Sequence, residues 1–296
     1  IGGGELTLAF LNRITASGHA RRVIVIVDEA HHPRLDELRS YRGVRVFVVS
    51  GDQMHRMRRY PLHKASKFLL LSDEDEINLE VASILLEHDP ELGSKIIYHV
   101  SNLRFLRVLA YTRVVQLCTT FNQYEMAATQ LARERLMRSF KATTYRDTVV
   151  LAGFGRFGQS ILEQLERHAS GEFSRVAIID LDAKQPALIA DEQVLTDRKY
   201  PRHTYEGDIN DPEIWQRLFR EVVTGKKEPE FVVTTGDDET NLRCAIWLRS
   251  RFRKALIISR TLAPSTFAKG VCDQHEVVSV NTAELLQSSI PHAWYR

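Results

Sequence analysis

The segment Thr148-Val149-Val150-Leu151-Ala152-Gly153-Phe154-Gly155-Arg156-Phe157-Gly158 decides the fold. It joins a continuous apolar run to a GxGxxG sequence and to an amphipathic stretch, Arg156–Arg167, with helical spacing. This is the order of a buried strand, a tight glycine turn and a helix. The first glycine allows the turn, the second lets a diphosphate approach the backbone, and the third lets the helix pack against the strand. The free N–H groups at the helix start would then face the phosphates.

The next apolar run, Val176–Asp180, ends in an acid that lies 22 residues after Gly158. A carboxylate at this place can accept hydrogen bonds from both hydroxyls of a ribose, and it would repel a 2′-phosphate. The sequence therefore favours NAD(H) or an adenine nucleotide over NADP(H). The alternative is a glycine turn that is kept for packing in a domain without a ligand.

The same plan occurs twice in the chain. Four segments recur in order, and the spacing between matched segments rises from 151 to 163 residues, as loop insertions in the second copy would produce. The first copy is less complete, because Thr7 stands at the position of the third glycine. The matched pairs are Gly2-Gly3-Gly4 with Gly153-Phe154-Gly155, Val23–Asp28 with Val176–Asp180, Ser50-Gly51-Asp52 with Glu206-Gly207-Asp208, and Phe68–Asn78 with Phe231–Asn241.

Strands and helices alternate in both copies. Continuous β-branched runs predict strands that are buried on both faces, hence a parallel sheet between layers of helices. We therefore predict an α/β protein of two tandem Rossmann-like, doubly wound parallel-sheet domains joined by a helical connector. The predicted strands are Arg22–Asp28, Val44–Val49, Phe68–Ser72, Lys95–Val100, Val114–Cys118, Thr148–Ala152, Val176–Asp180, Phe231–Thr235, Ala255–Ser259 and Val277–Val280; further helices are predicted at Glu213–Val222, Asn241–Arg251 and from Thr282.

The predicted domains cover residues 1–143 and 144–296. The stretch 119–146 has no counterpart inside the second copy, and its apolar residues have the spacing of a connecting helix. Because Gly2-Gly3-Gly4 opens a helix with no apolar run before it, we expect residues to precede Ile1 and the first strand to lie upstream.

Four motifs of the second copy together resemble the TrkA-N family, the RCK domains that regulate potassium conductance. They are GxGRxG at 153–158, Asp180 after the second strand, Gly207-Asp208 after the third, and Asp237-Asp238-Glu239-Thr240-Asn241 after the fourth. The first copy keeps Asp28, Gly51-Asp52 and Asp75-Glu76-Ile77-Asn78, and it has Glu5 where the second has Arg156. The tandem pair is similar to the cytoplasmic part of a potassium channel or to a Trk-type potassium uptake subunit.

The resemblance implies that the chain senses a nucleotide, NAD(H) or ATP/ADP, and does not turn it over. Arg156 would add a charged contact to the phosphates, Asp180 would bind the ribose, and Asp208 would lie beside the adenine. For Arg156 the alternative is a solvated cation at a helix start, and for Asp208 it is turn chemistry. Whether the first copy binds a ligand stays open. The implied binding residues are Gly153, Phe154, Gly155, Arg156, Phe157, Gly158, Asp180, Leu181, Gly207, Asp208, Thr235 and Gly236, with Gly2, Gly4, Asp28, Asp52 and Ser72 in the first copy.

The resemblance also implies partners and a location. A membrane-embedded potassium pore would lie upstream in the same chain or in a separate subunit. These domains would lie on the cytoplasmic side of the plasma (inner) membrane. Homo-oligomers, either dimers or a gating ring, are expected, with the helices at 102–140 and 281–290 as candidate contacts. The alternatives are an NAD-dependent oxidoreductase, which needs a proton donor that no His or Lys constellation supplies, and a scaffold with vacant pockets.

Composition excludes several other classes. Apolar residues make up 44% and charged residues 26%, as in ordinary globular proteins, and the net charge of +2 does not call for nucleic acid. No run reaches the roughly 18 apolar residues of a membrane-spanning helix. Cys118, Cys244 and Cys272 show no CxxC pairing, which excludes a disulfide scaffold and a standard zinc site. The acidic stretches 73–76 and 237–239 are expected to cap helices, with a divalent cation as the alternative.

Overall fold

The computed structural model describes residues 1–18, 23–27, 32–49, 62–102, 108–143, 146–184, 200–223, 227–262 and 265–295. The chain divides into two compact units, one formed by Ile1–Met126 with Leu286–Arg296 and the other by Ala127–Leu285. These units are defined by contacts in space, and the domain bounds 1–143 and 144–296, which follow from the repeat, stay a prediction.

The first unit contains two parallel sheets that flank residue 1. One sheet pairs β1 with β2, and the other has the order β3-β4-β5. Ile1 lies between them, because its N donates to Leu69 O and its O accepts from Leu71 N, both at 2.6 Å, while Gly2 N donates to Ile26 O at 3.0 Å. The strands are β1 Val23–Val27, β2 Val44–Val48, β3 Phe68–Leu70, β4 Ile96–His99 and β5 Thr119–Phe121; the helices are α1 Glu5–Ala16, α2 Leu35–Ser40, α3 Asp75–His88 and α4 Arg113–Leu117.

The predicted strand Val114–Cys118 is wrong, because these residues form the short helix α4. Gln116 N donates to Thr112 O and Cys118 N donates to Val114 O, so the backbone bonds are local and cannot pair with β4. β4 pairs instead with β5, which begins one residue further along at Thr119.

A helical connector follows β5, as predicted, but it begins later than its sequence pattern indicates. It consists of α5 Gln123–Leu131, a π-helical segment Ala132–Leu136 and α6 Met137–Lys141. The statement that the stretch from residue 119 has no counterpart is wrong. β5 pairs with β4 as the strand Val278–Asn281 pairs with the strand Ile257–Thr261, and a helix follows each pair, so the beginning of this stretch does have a counterpart in the second copy.

The second unit is built on a six-stranded parallel sheet with the order β8-β7-β6-β9-β10-β11. This is the doubly wound Rossmann order. The chain starts at β6, adds β7 and β8 on one side, and then returns to add β9, β10 and β11 on the other side, so the strand order reverses between β6 and β9. The strands are β6 Asp147–Ala152, β7 Phe173–Asp180, β8 Arg202–Glu206, β9 Glu230–Val233, β10 Ile257–Thr261 and β11 Val278–Asn281; the helices are α7 Arg156–Ala169, α8 Pro212–Val222, α9 Asp238–Arg251 and α10 Thr266–Gln274. Helix α11 Thr282–Ser289 begins in this unit, and its residues from Leu286 onward belong to the first unit.

Burial explains the continuous apolar runs of the central strands. All four residues of β9 and five of the six in β6 are buried, since helices cover both faces of the sheet. β8 lies at the edge of the sheet and consists of the polar residues RHTYE, of which only Tyr205 is buried. Its sequence therefore does not have the apolar pattern of a buried strand.

Each unit has an aromatic cluster in its core. Trp215 is 2% exposed and its indole N–H donates to Ile209 O at 2.7 Å, within the second unit. In the first unit the ring of Trp294 stacks on Phe10 and contacts Phe121. Within the residues that the structure describes, no helix has the length and apolar character needed to cross a bilayer.

Candidate nucleotide-binding site

The glycine loop between β6 and α7 is fixed by close backbone packing. Gly153 has a φ of +94°, and a Cβ built there would lie 2.6 Å from Thr235 N. A Cβ on Gly158 would lie 2.5 Å from Gly153 O. The first and third glycines are therefore required by the fold, as the sequence pattern predicts.

Gly155 differs from Gly153 and Gly158, because a Cβ built on it would meet no atom of the described residues within 4 Å. Gly155 is the N-cap of α7, and because glycine has no side chain, it cannot cap the N–H groups of the first turn. The N–H groups of the first turn thus face open space at the carboxyl edge of the sheet. Such a helix start offers hydrogen-bond donors and a partial positive charge to a diphosphate.

The other residues of the loop anchor or flank this opening. Phe154 and Phe157 are both buried, so they place backbone and not rings at the opening. Gln159 Nε2 donates to Phe154 O at 2.9 Å and holds the loop against the helix. Arg156 is exposed on the first turn of α7, where its guanidinium can reach an anion.

Asp180 lies at the end of β7, beside the loop. Its Oδ2 accepts from Phe154 N at 2.5 Å, and its Oδ1 accepts from Asp182 N at 3.1 Å. An ionised carboxylate has about four lone-pair sites, so each oxygen keeps room for one ribose hydroxyl. The next residue, Leu181, is 73% exposed and offers an apolar surface at the same corner.

The Gly-Asp pair after β8 forms a turn. Gly207 N donates to Asp180 O at 2.9 Å, and a Cβ on Gly207 would clash with the side chain of Ile214. Asp208 Oδ1 accepts from Asn210 N at 2.8 Å and from Asn210 Nδ2 at 3.0 Å. Asp208 thus makes the hydrogen bonds of a turn, which is the alternative role that the sequence analysis gives it. The contact of Asp208 with adenine stays a prediction.

Thr235 and Gly236 follow β9 on the other side of the loop. Thr235 N and Oγ1 both donate to Asn241 Oδ1, at 2.9 and 2.7 Å, and Asn241 Nδ2 donates back to Thr235 O. Gly236 is exposed, and a Cβ on it would meet no atom within 4 Å in the part of the chain that the structure describes. The segment is thus rigid at Thr235 and open at Gly236.

The acidic residues that follow β9 and β3 bind backbone N–H groups. Asp237 caps α9 by accepting from Thr240 N at 2.7 Å, and the hydrogen bonds from Thr240 lower the pKa of Asp237. Asp238 accepts from Leu262 N at 2.7 Å, and in the first unit Asp75 accepts from Ser101 N at 2.7 Å. These contacts are those of helix capping and loop anchoring.

The first unit repeats this loop with different surroundings. Gly2 has a φ of +124°, and its Cβ would lie 2.6 Å from Leu71 C, as at Gly153. Gly4 is the N-cap of α1, but a Cβ on Gly4 would collide with the carboxylate of Asp73. Thr7 is buried at the third glycine position.

Three further first-copy predictions have separate outcomes. Ser72 N donates to Asn78 Oδ1 at 2.9 Å, so its backbone is held like that of Thr235. Asp28 and Asp52 lie outside the described residues.

Two asparagines at this edge of the sheets are missed by the sequence analysis. Asn122 follows β5 and accepts from Glu125 N, while its Nδ2 donates to Val100 O at 2.8 Å. Asn281 ends β11 and accepts from Ala283 N, while its Nδ2 donates to Leu262 O at 3.2 Å. An asparagine directly before a helix in both copies is an N-cap signal that could have identified them.

Comparison with known proteins supports the duplicated fold. The TrkA-N domain family matches residues 1–120 and 149–271 of this chain. No curated protein sequence matches it.

Several solved structures of GsuK share the architecture over 97% of this chain. The ADP-bound GsuK structure has a TM-score of 0.62 at 17% sequence identity, and this chain covers 66% of it. The GsuK channel bound to NAD has a TM-score of 0.63 at 13% identity with 61% covered, and the GsuK RCK domain has 0.59 at 14% with 74% covered. The chain thus spans about two thirds of the length of these structures. By the match over both of its repeats, the chain belongs to the TrkA-N domain family, as a tandem pair of domains.

Proposed function

We propose that the chain is a nucleotide-sensing regulatory module of a potassium channel or transporter, and that it binds NAD(H) or an adenine nucleotide at the GxGRxG loop of the second domain. The observation that carries this proposal is the open helix start in front of Gly155. It lies where the strand order reverses between β6 and β9, the usual ligand position in doubly wound sheets.

The residues around the opening suit the parts of a nucleotide. The backbone of 153–158 would hold the phosphates, and Arg156 would add a charge-assisted hydrogen bond. Asp180 would bind the ribose through its free lone pairs. Gly207 and Asp208 would lie beside the adenine, and Thr235 with Gly236 would close the ribose side. The ADP- and NAD-bound forms of GsuK support this choice of ligands.

Sensing requires that the nucleotide bind two states of the protein with different affinity. The shift that it produces cannot exceed this difference. We infer that the shift acts on a membrane-embedded potassium pore, in the same chain or in a separate subunit, with these domains on the cytoplasmic side of the inner membrane. The helices at 102–140 and 281–290 are the candidate contacts of a dimer or a gating ring.

We propose binding without turnover, since a hydride-transfer enzyme needs a proton donor placed at the nicotinamide. The loop motifs of both halves are those of nucleotide-binding domains, so neither half has the features of a substrate domain. Consumption of NADH in the presence of carbonyl compounds would contradict this part of the proposal and favour the oxidoreductase.

The test measures binding of ADP, ATP, NAD and NADH to the full chain by calorimetry and by the shift in melting temperature. We expect at least one of them to bind and to raise the melting temperature. Gly155→Val fills the opening at a backbone conformation that any residue adopts, so it should abolish binding while the protein stays folded. Gly171→Val is the matched control, because a Cβ on Gly171 would also meet no described atom within 4 Å, while Gly171 lies in the turn after α7. Absence of binding for all four nucleotides would overturn the proposal.

A further inference from the structure

The glycine loops of the two units have the same backbone arrangement. Gly2 N donates to Ile26 O at 3.0 Å, and Gly153 N donates to Ile179 O at 2.8 Å. Leu71 N donates to Ile1 O as Thr234 N donates to Ala152 O. A difference in ligand binding between the two loops must therefore come from the side chains in front of them.

The space in front of the second glycine differs in the two units. In the second unit, among the described residues, no atom lies within 4 Å of a Cβ built on Gly155 or of one built on Gly236. In the first unit Asp73 takes the place of Gly236 in the repeat. The Cγ and Oδ1 of Asp73 lie 3.1 and 3.2 Å from the Cβ position of Gly4, so this carboxylate occupies the space that a phosphate would need.

The charges around the two loops are also opposite. Glu5 opens α1 where Arg156 opens α7. Glu5 is paired with Arg34, which also pairs with Glu37 at 3.3 Å. A diphosphate at the first loop would thus meet two carboxylates and a guanidinium that is already paired, which is repulsive at short range.

A histidine further fills the first loop. The ring of His32 lies against Gly3, with Nε2 2.6 Å from the position of a Cβ. In the repeat, Gly3 is equivalent to Phe154, whose backbone N–H donates to the carboxylate of Asp180 in the second unit.

We infer that Asp73, assisted by Glu5, excludes phosphates from the first glycine loop and restricts the chain to one nucleotide. Asp73 is thus a specificity determinant, since its carboxylate takes the place of the ligand's own negative charge in front of Gly4. This inference rests on the proposed function for the occupancy of the second loop, but the state of the first loop can be tested separately.

The experiment measures the number of ADP molecules bound per full-length chain by calorimetry. The wild-type chain should bind one. The double variant D73G/E5Q removes both carboxylates and gives the first loop the glycine that the second loop has, so the number should approach two. In a G155V background the number should rise from zero to one, with affinity at the first loop increased about tenfold or more over the chain with Asp73. D73N/E5Q keeps the side-chain shapes without their charges, and it should bind a second ADP more weakly than D73G/E5Q.

Melting curves establish that each variant is folded, and E80Q is the control, because Glu80 is an exposed acid on α3 away from the loop. Two ADP molecules on the wild-type chain, or one on a folded D73G/E5Q variant whose parent binds one, would overturn the inference and leave the proposed function intact. Binding by D73G/E5Q with no binding by the wild type would support the inference and refute the proposed function. No binding by either chain would refute both.

Discussion

Asn78 and Asn241 make the same three hydrogen bonds in the two units. Asn78 accepts from Ser72 N and donates to Ser72 O and His99 O, at 2.9, 2.8 and 3.0 Å. Asn241 accepts from Thr235 N and donates to Thr235 O and Arg260 O, at 2.9, 3.1 and 3.1 Å. Each carboxamide thus ties together the ends of two neighbouring strands, and it satisfies backbone groups that water cannot reach.

Replacing either asparagine with alanine should destabilise its unit by about 2–4 kcal/mol, because buried carbonyl and amide groups lose their partners. Urea denaturation measures the change in unfolding free energy. Asn12→Ala is the control, because Asn12 is exposed and its side-chain oxygen accepts a solvent-exposed hydrogen bond from the side chain of Tyr41. Equal stability of Asn241→Ala and Asn12→Ala would contradict the structural role.

The glycines of the second loop should separate fold from ligand binding. Gly158→Ala forces a Cβ against Gly153 O, and we expect a loss of about 1–3 kcal/mol in unfolding free energy. Gly155→Ala should leave stability within about 0.5 kcal/mol of wild type while it weakens ADP binding. Thermal melts and calorimetry on both variants check this, and a stable Gly158→Ala protein would show that the packing is softer than described.

Asp180 should make the site prefer NADH over NADPH, because its carboxylate repels a 2′-phosphate. Asp180→Ser removes the charge and keeps one hydrogen-bonding oxygen, so the ratio of the two affinities should fall by about tenfold. Competition binding with both nucleotides measures the ratio. Asp182→Ser, two residues further along, is the control, and an unchanged ratio in Asp180→Ser would refute the ribose role.

Glu230 should make the stability of the second unit depend on pH. Burial raises the pKa of this carboxyl from 4.5 to about 7, although the hydrogen bond from Ser139 at 2.5 Å and the nearby Lys227 oppose the rise. Lys227 is itself paired with the buried Asp147. Because the folded pKa exceeds the unfolded one, the folded chain retains the proton in a pH range where the unfolded chain has lost it.

The contribution of Glu230 to the free energy of unfolding should therefore fall by about 3 kcal/mol as the pH rises from 4.5 through 7. Glu230→Gln removes the titration and should flatten this dependence, as urea denaturation at a series of pH values would show. Glu172→Gln, an exposed acid in a turn, should keep the wild-type slope. The same slope in both variants would rule out Glu230 as its source.

The parts of the site that the sequence predicts are those with a local signature. The loop 153–158 combines a strand, three glycines and a helix start within a few residues, and the structure gives Gly153 and Gly158 the packing roles that this spacing implies. The strand at 114–118 fails for the opposite reason. Its valines suit a sheet, but one turn of helix satisfies their backbone and buries Val114 equally well.

The parts that the sequence does not reveal depend on contacts between distant segments. Asp73 lies in an acidic stretch that reads as a helix start, and only the folded chain brings its carboxylate to Gly4, far away in the sequence. Burial raises the pKa of Glu230, and the hydrogen bond from the connector residue Ser139 opposes the rise; no periodicity in the sequence relates Ser139 to β9.

The three tryptophans of the chain divide between the two units. Trp294 belongs to the first, while Trp215 and Trp247, whose rings lie 5.5 Å apart, belong to the second. In a Trp294→Phe protein the tryptophan fluorescence would consequently come from the second unit alone. The indole of Trp215 donates to Ile209 O, directly after the Gly207–Asp208 turn, so its emission should change when this turn changes its conformation. The molecule thus carries intrinsic optical reporters with which the response of each half to ADP can be recorded without a label.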